Sequence, residues 1–266
     1  MKKPFIVLYK GDSMKYNYPE MARNMVSLLE KGVTSILGTT QAQKVTGKGA
    51  GGETKYIDRV AEDAVITYLK ESDIDCQLVT EESGIVGEGD TTIILDPLDG
   101  TTNALSGIPF YSVSLAFWGE RRYGFVKNLH TADMYEAFQD GDPLKNGKKI
   151  QPNCTESIAS AYIGEGFQKV MPLIDAWRCF GSLALELSYV AEGRLKALVD
   201  LREKARIVDI AGAQVIAEAC GIKVTDKKGN PPFADGFFDE NRNFKGEKII
   251  CALPELHEKI LNALQE

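Results

Sequence analysis

Two short stretches gather acidic and hydroxyl side chains directly after apolar runs: Thr80-Glu81-Glu82-Ser83-Gly84 and Asp96-Pro97-Leu98-Asp99-Gly100-Thr101-Thr102-Asn103. Ile93-Ile94-Leu95 leads straight into Asp96. Both acidic pairs thus follow the C-terminal end of a predicted strand, where α/β sheets collect ligand sites. Pro97 has no N–H and bends the chain out of a ladder, so the Asp96 and Asp99 carboxylates and the Leu98 carbonyl can face one point. Clustered carboxylates repel one another. A hard divalent cation relieves that repulsion, and Mg²⁺ prefers carboxylate, carbonyl, water and phosphate oxygens. Gly100-Thr101-Thr102 follows at once: glycine lets a phosphate approach the backbone, and N–H groups at a helix start attract the anion. Cation ligands beside an anion seat are what metal-assisted phosphoryl hydrolysis requires. Singly, Asp-Pro, Asp-Gly and Glu-Glu are ordinary turn or surface chemistry; their combination points to a site.

The elements that must position these groups are legible in outline. The pattern predicts a helix opened by Pro19 and closed near Gly38, and a second with Ile57, Val60, Ala61, Ala64, Val65, Tyr68 and Leu69 on one stripe. Between them lies a glycine-rich loop, residues 47–52. Strands are predicted at 76–80, 91–95, 110–118, around 123–128 and at 134–138. The second half reads as strands near 157–163, 177–180, 195–199, 222–226 and 248–252, with helices at 183–192, 209–220 and 254–265. Helices and strands in this order suggest helical layers around mixed sheets. His257 is expected on the polar, solvated side of the last helix, and Met21 and Met25 in a core or dimer stripe.

Composition closes off several classes. The 266 residues carry 31 Lys+Arg against 38 Asp+Glu, a net charge of −7 with no basic block, so nucleic acid is not an expected partner. An acidic chain that binds phosphate needs local cations. No apolar run approaches the ~20 residues of a bilayer span, so no membrane association is expected. The opening apolar stretch stops at Lys10-Gly11-Asp12-Ser13, too short for a signal peptide, and an edge strand or a leader before Met14 is expected instead. Five scattered Cys and no Cys-x-x-Cys read as reduced thiols of a cytoplasmic protein. With two His in the chain, a zinc site is not expected.

Together with Val208-Asp209-Ile210-Ala211-Gly212-Ala213, which opens a late helix, the two acidic stretches resemble the signature of the inositol monophosphatase / fructose-1,6-bisphosphatase superfamily of Mg²⁺-dependent sugar phosphatases. The matches run from about residue 47 to residue 251. The resemblance implies that Glu81, Asp96, Asp99 and Asp209, with the Leu98 carbonyl, are metal ligands for two or three Mg²⁺ ions per site, with Mn²⁺ as a substitute. It gives Thr101, Asp58 and Glu82 catalytic parts: Thr101 orients the attacking water, Asp58 assists in its activation or makes a further metal contact, and Glu82 stands behind the ligands. Lys48, in the glycine-rich loop, would approach a third ion. Gly100, Thr101 and Thr102 would seat the substrate phosphate. Trp177-Arg178-Cys179-Phe180-Gly181-Ser182 and Asp200-Leu201-Arg202 resemble elements of the archaeal-type members, which act on fructose-1,6-bisphosphate and inositol-1-phosphate. Arg178, Gly181, Ser182 and Arg202 would then bind substrate, a guanidinium clamping a second phosphate or sugar hydroxyls. Departures from many relatives are Val208 where they carry Trp and Ala104 where they carry Phe; neither removes a ligand, and both bear on substrate choice. The implied fold is a layered α/β/α/β/α sandwich. The chain would be one phosphatase unit with approximate halves 14–155 and 156–266, usually a homodimer or higher homo-oligomer, acting on a small phosphorylated sugar or polyol.

Rival chemistries fail on the residues or stay as alternatives. Gly47-x-Gly49-x-x-Gly52 fits a dinucleotide fingerprint but follows polar Gln41-Ala42-Gln43-Lys44, not a buried strand. No Cys is followed by Arg at Cys-x5-Arg spacing, and two residues separate Asp96 from Asp99 where aspartyl-phosphate enzymes have one. A 3′(2′),5′-bisphosphate nucleotidase shares the metal motif, and a non-catalytic phosphometabolite-binding protein would share the fold.

Overall fold

Asn17 starts the first helix, α1 (Tyr18–Ile36), its side chain accepting from the Glu20 N–H at 3.3 Å, with Met21, Met25, Leu29 and Val33 buried along one face. The computed structural model describes residues 14–50, 52–152 and 158–265; the expected edge strand or leader before Met14 lies outside them. Next come β1 (Val45–Gly49) and β2 (Gly52–Lys55), an antiparallel hairpin where the sequence suggested only a glycine-rich loop. The side chains of β1 are mostly exposed, so there was no apolar alternation to read. The hairpin runs directly into α2 (Tyr56–Glu71).

The first large sheet has eight strands: β3 (Cys76–Thr80), β4 (Gly84–Val86), β5 (Thr91–Asp99), then, after the five-residue helix α3 (Thr101–Leu105), β6 (Ser112–Trp118), β7 (Arg122–Asn128), β8 (Met134–Phe138), β9 (Leu144–Lys145) and β10 (Lys148–Lys149). Their spatial order is β10-β9-β8-β7-β6-β5-β3-β4. The remaining elements are β11 (Ile158–Tyr162), α4 (Phe167–Val170), β12 (Ala176–Arg178), α5 (Leu183–Glu192), β13 (Ala197–Ala205), α6 (Ile207–Ala219), β14 (Lys223–Asp226), β15 (Glu247–Ala252) and α7 (Pro254–Gln265). Their strands form a five-stranded sheet, β12-β11-β13-β15-β14.

The layers follow from which faces bury which side chains. Met25 and Leu29 of α1 and Ile57 and Ala61 of α2 pack with Leu78, Ile93, Leu115 and Phe117 on one face of the large sheet. The other face, through Val79, Ile94, Ala116 and Val126, packs on Leu183 and Leu187 of α5 and Val208 and Ile210 of α6; these also meet Leu198, Ile249 and Cys251 of the second sheet. The far face of that sheet, Ala159, Val199 and Ile250, is covered by Phe167 of α4 and Ile260 of α7. The stack is helices, sheet, helices, sheet, helices, the α/β/α/β/α sandwich expected from the resemblance. Contact between α6 and the large sheet requires glycine on both sides: a Cβ at Gly212 would stand 2.6 Å from the Leu115 carbonyl oxygen, and one at Gly124 would stand 2.2 Å from that of Gly212.

Three expectations need correction. The strand expected at 195–199 continues to Ala205, through exposed Arg202-Glu203-Lys204 that carry no apolar signal. The strand expected at 177–180 ends at Arg178. His257 is buried, not solvated: its Nε2 lies 2.8 Å from Thr225 Oγ1, because α7 turns that side of its surface toward β14.

Candidate active site

Pairing register brings the first acidic residues together. β3 and β5 are parallel neighbours with Thr80 opposite Leu95. Glu81, just past the end of β3, and Asp96, within β5 (which runs on past the expected strand 91–95), therefore stand side by side. Beyond Asp96 the ladder to β6 slips: Asp96 pairs with Ser114 and Asp99 with Ser112, leaving one extra residue in the Pro97-Leu98 segment. This bulge is the physical result of a proline in a strand. The Leu98 N–H donates to Asp96 Oδ1 at 3.0 Å, which fixes the carboxylate. Gly100 then turns the chain with φ +92°, and a Cβ there would stand 3.0 Å from the Gly181 carbonyl oxygen, so the turn needs glycine twice over.

Two helices deliver the remaining groups. Thr101 Oγ1 lies 2.8 Å from Asp58 Oδ1 on α2 and 2.9 Å from the Leu98 carbonyl oxygen. Asp58 also accepts from the Lys55 N–H at 3.3 Å, capping the helix. One turn on, buried Glu62 accepts from the Ser83 N–H at 3.0 Å and the Ser83 hydroxyl at 2.7 Å, fastening the turn that presents Glu81 and Glu82. The Thr54 hydroxyl on β2 donates to Glu82. Asp99 Oδ2 accepts from Ser182 Oγ at 2.6 Å and the Ala184 N–H at 2.8 Å, at the start of α5. Asp209 stands in the first turn of α6, gripped by Arg206: the Arg206 N–H donates to Oδ2 at 2.7 Å, Nη2 to Oδ1 at 2.6 Å and Nε to Oδ2 at 3.2 Å. The same guanidinium donates through Nη1 to Glu81 Oε1 at 2.6 Å.

Glu81, Asp99 and Asp209 line a single cavity of about 550 Å³, together with Tyr162, Gly181, Arg202, Lys204 and Arg206. Asp96, 1% exposed, lies within the field of Glu81, Asp99 and Asp209, and burial and those charges push its carboxyl well above the usual range. Burial raises Asp99 to about 8, with the Asp209 charge adding to it. Burial likewise raises Asp58 and Glu82 to about 7, each also facing the Glu81 charge. Carboxyls that hold protons near neutrality in an acidic cluster mark a place that wants positive charge. Every donor is a hard oxygen, the set that suits Mg²⁺. Among the described residues, however, no three acidic, His or Cys side chains stand as a ready-made metal cage; the Arg206 guanidinium spans Glu81 and Asp209.

Not every expected residue reaches the site. Arg202 does line the cavity, but its Nε and Nη2 donate to buried Asp200 at 3.0 and 2.7 Å, and it stacks on Tyr162 with its guanidinium carbon 3.5 Å from the ring centre. Arg178 is exposed and donates to the Trp177 carbonyl at 2.8 Å; it is absent from the cavity wall. Lys48 and Thr102 are exposed. Ser182 is buried and touches Asp99, with no face on the cavity wall. Sequence reasoning missed Arg206, Lys204, Thr54, Glu62 and Glu186. Glu186, fully buried on α5, accepts from the Phe180 and Gly181 N–H groups at 2.9 Å each and from Tyr162 Oη at 2.8 Å, shaping the loop that carries Ser182. The usable signals were a charged residue inside an apolar stripe for Glu62 and Glu186, and Arg206 three residues before Asp209, the spacing of a helix cap. Lys204 had none.

The sequence profile of the inositol monophosphatase family matches residues 18–266. A fructose-1,6-bisphosphatase/inositol-1-monophosphatase of Methanothermobacter thermautotrophicus is 36% identical over 94% of this chain and 97% of its own length. One of Archaeoglobus fulgidus, with the same name, is 36% identical over 92% of this chain and 97% of its own. Among solved structures, an inositol monophosphatase-fructose 1,6-bisphosphatase superposes with a TM-score of 0.82 at 29% identity, covering 93% of this chain and 100% of that one. With sequence and fold in agreement over nearly its whole length, the chain belongs to the inositol monophosphatase family of metal-dependent phosphatases.

Proposed function

We propose that the protein is a Mg²⁺-dependent phosphomonoesterase that removes the 1-phosphate of fructose-1,6-bisphosphate and also hydrolyses inositol-1-phosphate. The observation that carries this reading is one cavity lined by Glu81, Asp99 and Asp209, with buried Asp96 in the field of all three and Thr101 bonded to both Asp58 and the Leu98 carbonyl. In it, Glu81, Asp96, Asp99, Asp209 and the Leu98 carbonyl hold two or three Mg²⁺ ions, with Mn²⁺ as a substitute. Bound magnesium supplies water activation and charge neutralisation on the phosphate and the leaving oxygen. The residues of the chain do the rest. The Thr101 proton is shared between Asp58 and the Leu98 carbonyl, so its oxygen keeps lone pairs with which to accept a hydrogen bond from water and aim it. Asp58, raised toward neutrality, can take a proton through Thr101 and release it. Glu82, held by Thr54, fixes the Glu81 turn. Gly100, Thr101 and the backbone of Thr102 seat the phosphate, and Arg202 with Lys204 face the far end of the substrate, Gly181 lining the wall between them and Ser182 holding Asp99 from behind it.

The relatives named for both activities support this substrate pair, as do the cavity's cations. The reading includes a single catalytic unit made of the halves 14–155 and 156–266, a homodimer or higher homo-oligomer, and a cytoplasmic place in gluconeogenic carbohydrate metabolism. The test is phosphate release with and without Mg²⁺ from fructose-1,6-bisphosphate, inositol-1-phosphate and a 3′-phosphorylated nucleotide. Preference for the nucleotide would make the chain a 3′(2′),5′-bisphosphate nucleotidase, and no release from any substrate would make it a binding protein.

A further inference from the structure

A site meant for divalent cations has a resident cation of its own. Arg206 reaches back across the start of α6, places two of its side-chain nitrogens on Asp209 and a third on Glu81, and is itself about one-fifth exposed. Its charge acts on Asp96 as well. A guanidinium does not lose its proton under any physiological condition, so this positive charge leaves the carboxylates only by moving. Both oxygens of Asp209 and one of Glu81 are engaged by it. These are oxygens that an ion bound at this cavity would use, and no preformed cage exists among the described residues while Arg206 spans them.

We infer that Arg206 is the internal counter-ion of the metal-free site and competes with the divalent cation for Glu81 and Asp209. The inference rests on the metal-site reading above. Its physical basis is direct. Several buried carboxylates without a partner destabilise the fold, and a bidentate guanidinium offsets that repulsion until an ion arrives. The ion must then displace part of a charge-assisted hydrogen-bond set, which weakens its net binding. Arg206 thus sets metal affinity below what the acidic residues alone would give, and keeps the empty site folded. A role confined to orienting Asp209 predicts the reverse sign, because losing an orienting group weakens binding.

The test is Mn²⁺ binding to the full chain, followed by the loss of the free-ion electron paramagnetic resonance signal, beside thermal unfolding in chelator and in excess Mn²⁺. Arg206→Gln is expected to bind Mn²⁺ at least about tenfold more tightly than the unaltered protein, the equivalent of one charge-assisted hydrogen bond removed from competition. It is also expected to unfold at lower temperature in chelator, with the deficit closed by Mn²⁺. Arg206→Lys, which keeps a charge but cannot grip both carboxylates, is expected to fall between the two; it carries the test alone if Arg206→Gln does not fold. Equal or weaker Mn²⁺ binding in both variants, with ordinary binding by the unaltered protein, overturns the inference and leaves the metal-site reading standing. Absence of Mn²⁺ binding in the unaltered protein and in both variants overturns both.

Discussion

Ser182 Oγ donates to Asp99 Oδ2 at 2.6 Å, joining the end of a strand in the large sheet to the first residue before α5. That bond links residues 83 positions apart in the chain. The site is therefore a product of the sandwich and not of either acidic stretch alone. Ser182→Ala leaves Asp99 with the Ala184 N–H as its fixed donor. We expect kcat to fall about tenfold, the loss of one hydrogen bond to a charged group, with the fold retained. Steady-state rates beside circular dichroism check this; unchanged turnover would mean that Asp99 needs no such anchor.

Thr101 is expected to act on chemistry and not on binding. Thr101→Ala should lower kcat by roughly 10²–10⁴, the range for a lost proton-transfer partner, with little change in KM. Thr101→Ser, which restores the hydroxyl, should recover most of that loss. Equal rates for the alanine variant and the unaltered protein would remove Thr101 from the mechanism.

How far these roles were visible in the sequence depends on the kind of signal. The strand ends carrying Glu81 and Asp96 were legible because apolar runs stop abruptly at charges. Their adjacency was not: it comes from the parallel register of Thr80 with Leu95, which no local pattern encodes. Thr54 was hidden in a hairpin too exposed to show alternation, and Lys204 on a stretch of β13 where the pairing jumps from Asp200–Ile249 to Ala205–Glu247. His257 was misplaced because a single polar side chain on an amphipathic helix reads as solvent-facing, while a hydrogen bond from a neighbouring strand can bury it. Arg178 and Arg202 looked alike as isolated arginines; only the fold turns one to its own backbone and stacks the other on Tyr162.

Those two arginines and Lys204 should behave differently toward substrate. Arg178→Ala is expected to leave KM for both sugar phosphates within about twofold, as for an exposed charge without a partner in the site. Lys204→Ala should raise KM for fructose-1,6-bisphosphate about threefold or more while sparing inositol-1-phosphate, since one exposed ion pair to a second phosphate is lost. A comparison of KM values for the two substrates decides it; equal effects on both would place Lys204 away from the second phosphate.

Buried carboxyls make the metal-free protein sensitive to alkali. Burial, with neighbouring negative charge, raises Asp58 and Glu82 to about 7 and Asp99 to about 8 in the fold. The same groups titrate near 4 when unfolded. Across that window the folded state binds more protons than the unfolded one, so stability is greatest on the acid side and is lost as pH rises through 7 to 8. Asp96 and Glu186 are raised by burial in the same direction, and His257, lowered by burial, has the opposite sign and is one group against these five. We expect the melting temperature in chelator to be lower at about pH 8 than at about pH 6, with excess Mg²⁺ closing the gap. A melting temperature that rises with pH in chelator would contradict this electrostatic reading.

The most direct measurement is phosphate released from fructose-1,6-bisphosphate as a function of Mg²⁺ concentration, for the unaltered chain and for Asp96→Asn. The expected result is release that depends on Mg²⁺ and saturates in the former. In the latter, turnover should fall by about three orders of magnitude or more in a protein that still unfolds cooperatively. Release that persists in chelator, or an Asp96→Asn variant with near-normal turnover, would contradict a site in which these carboxylates hold the ion.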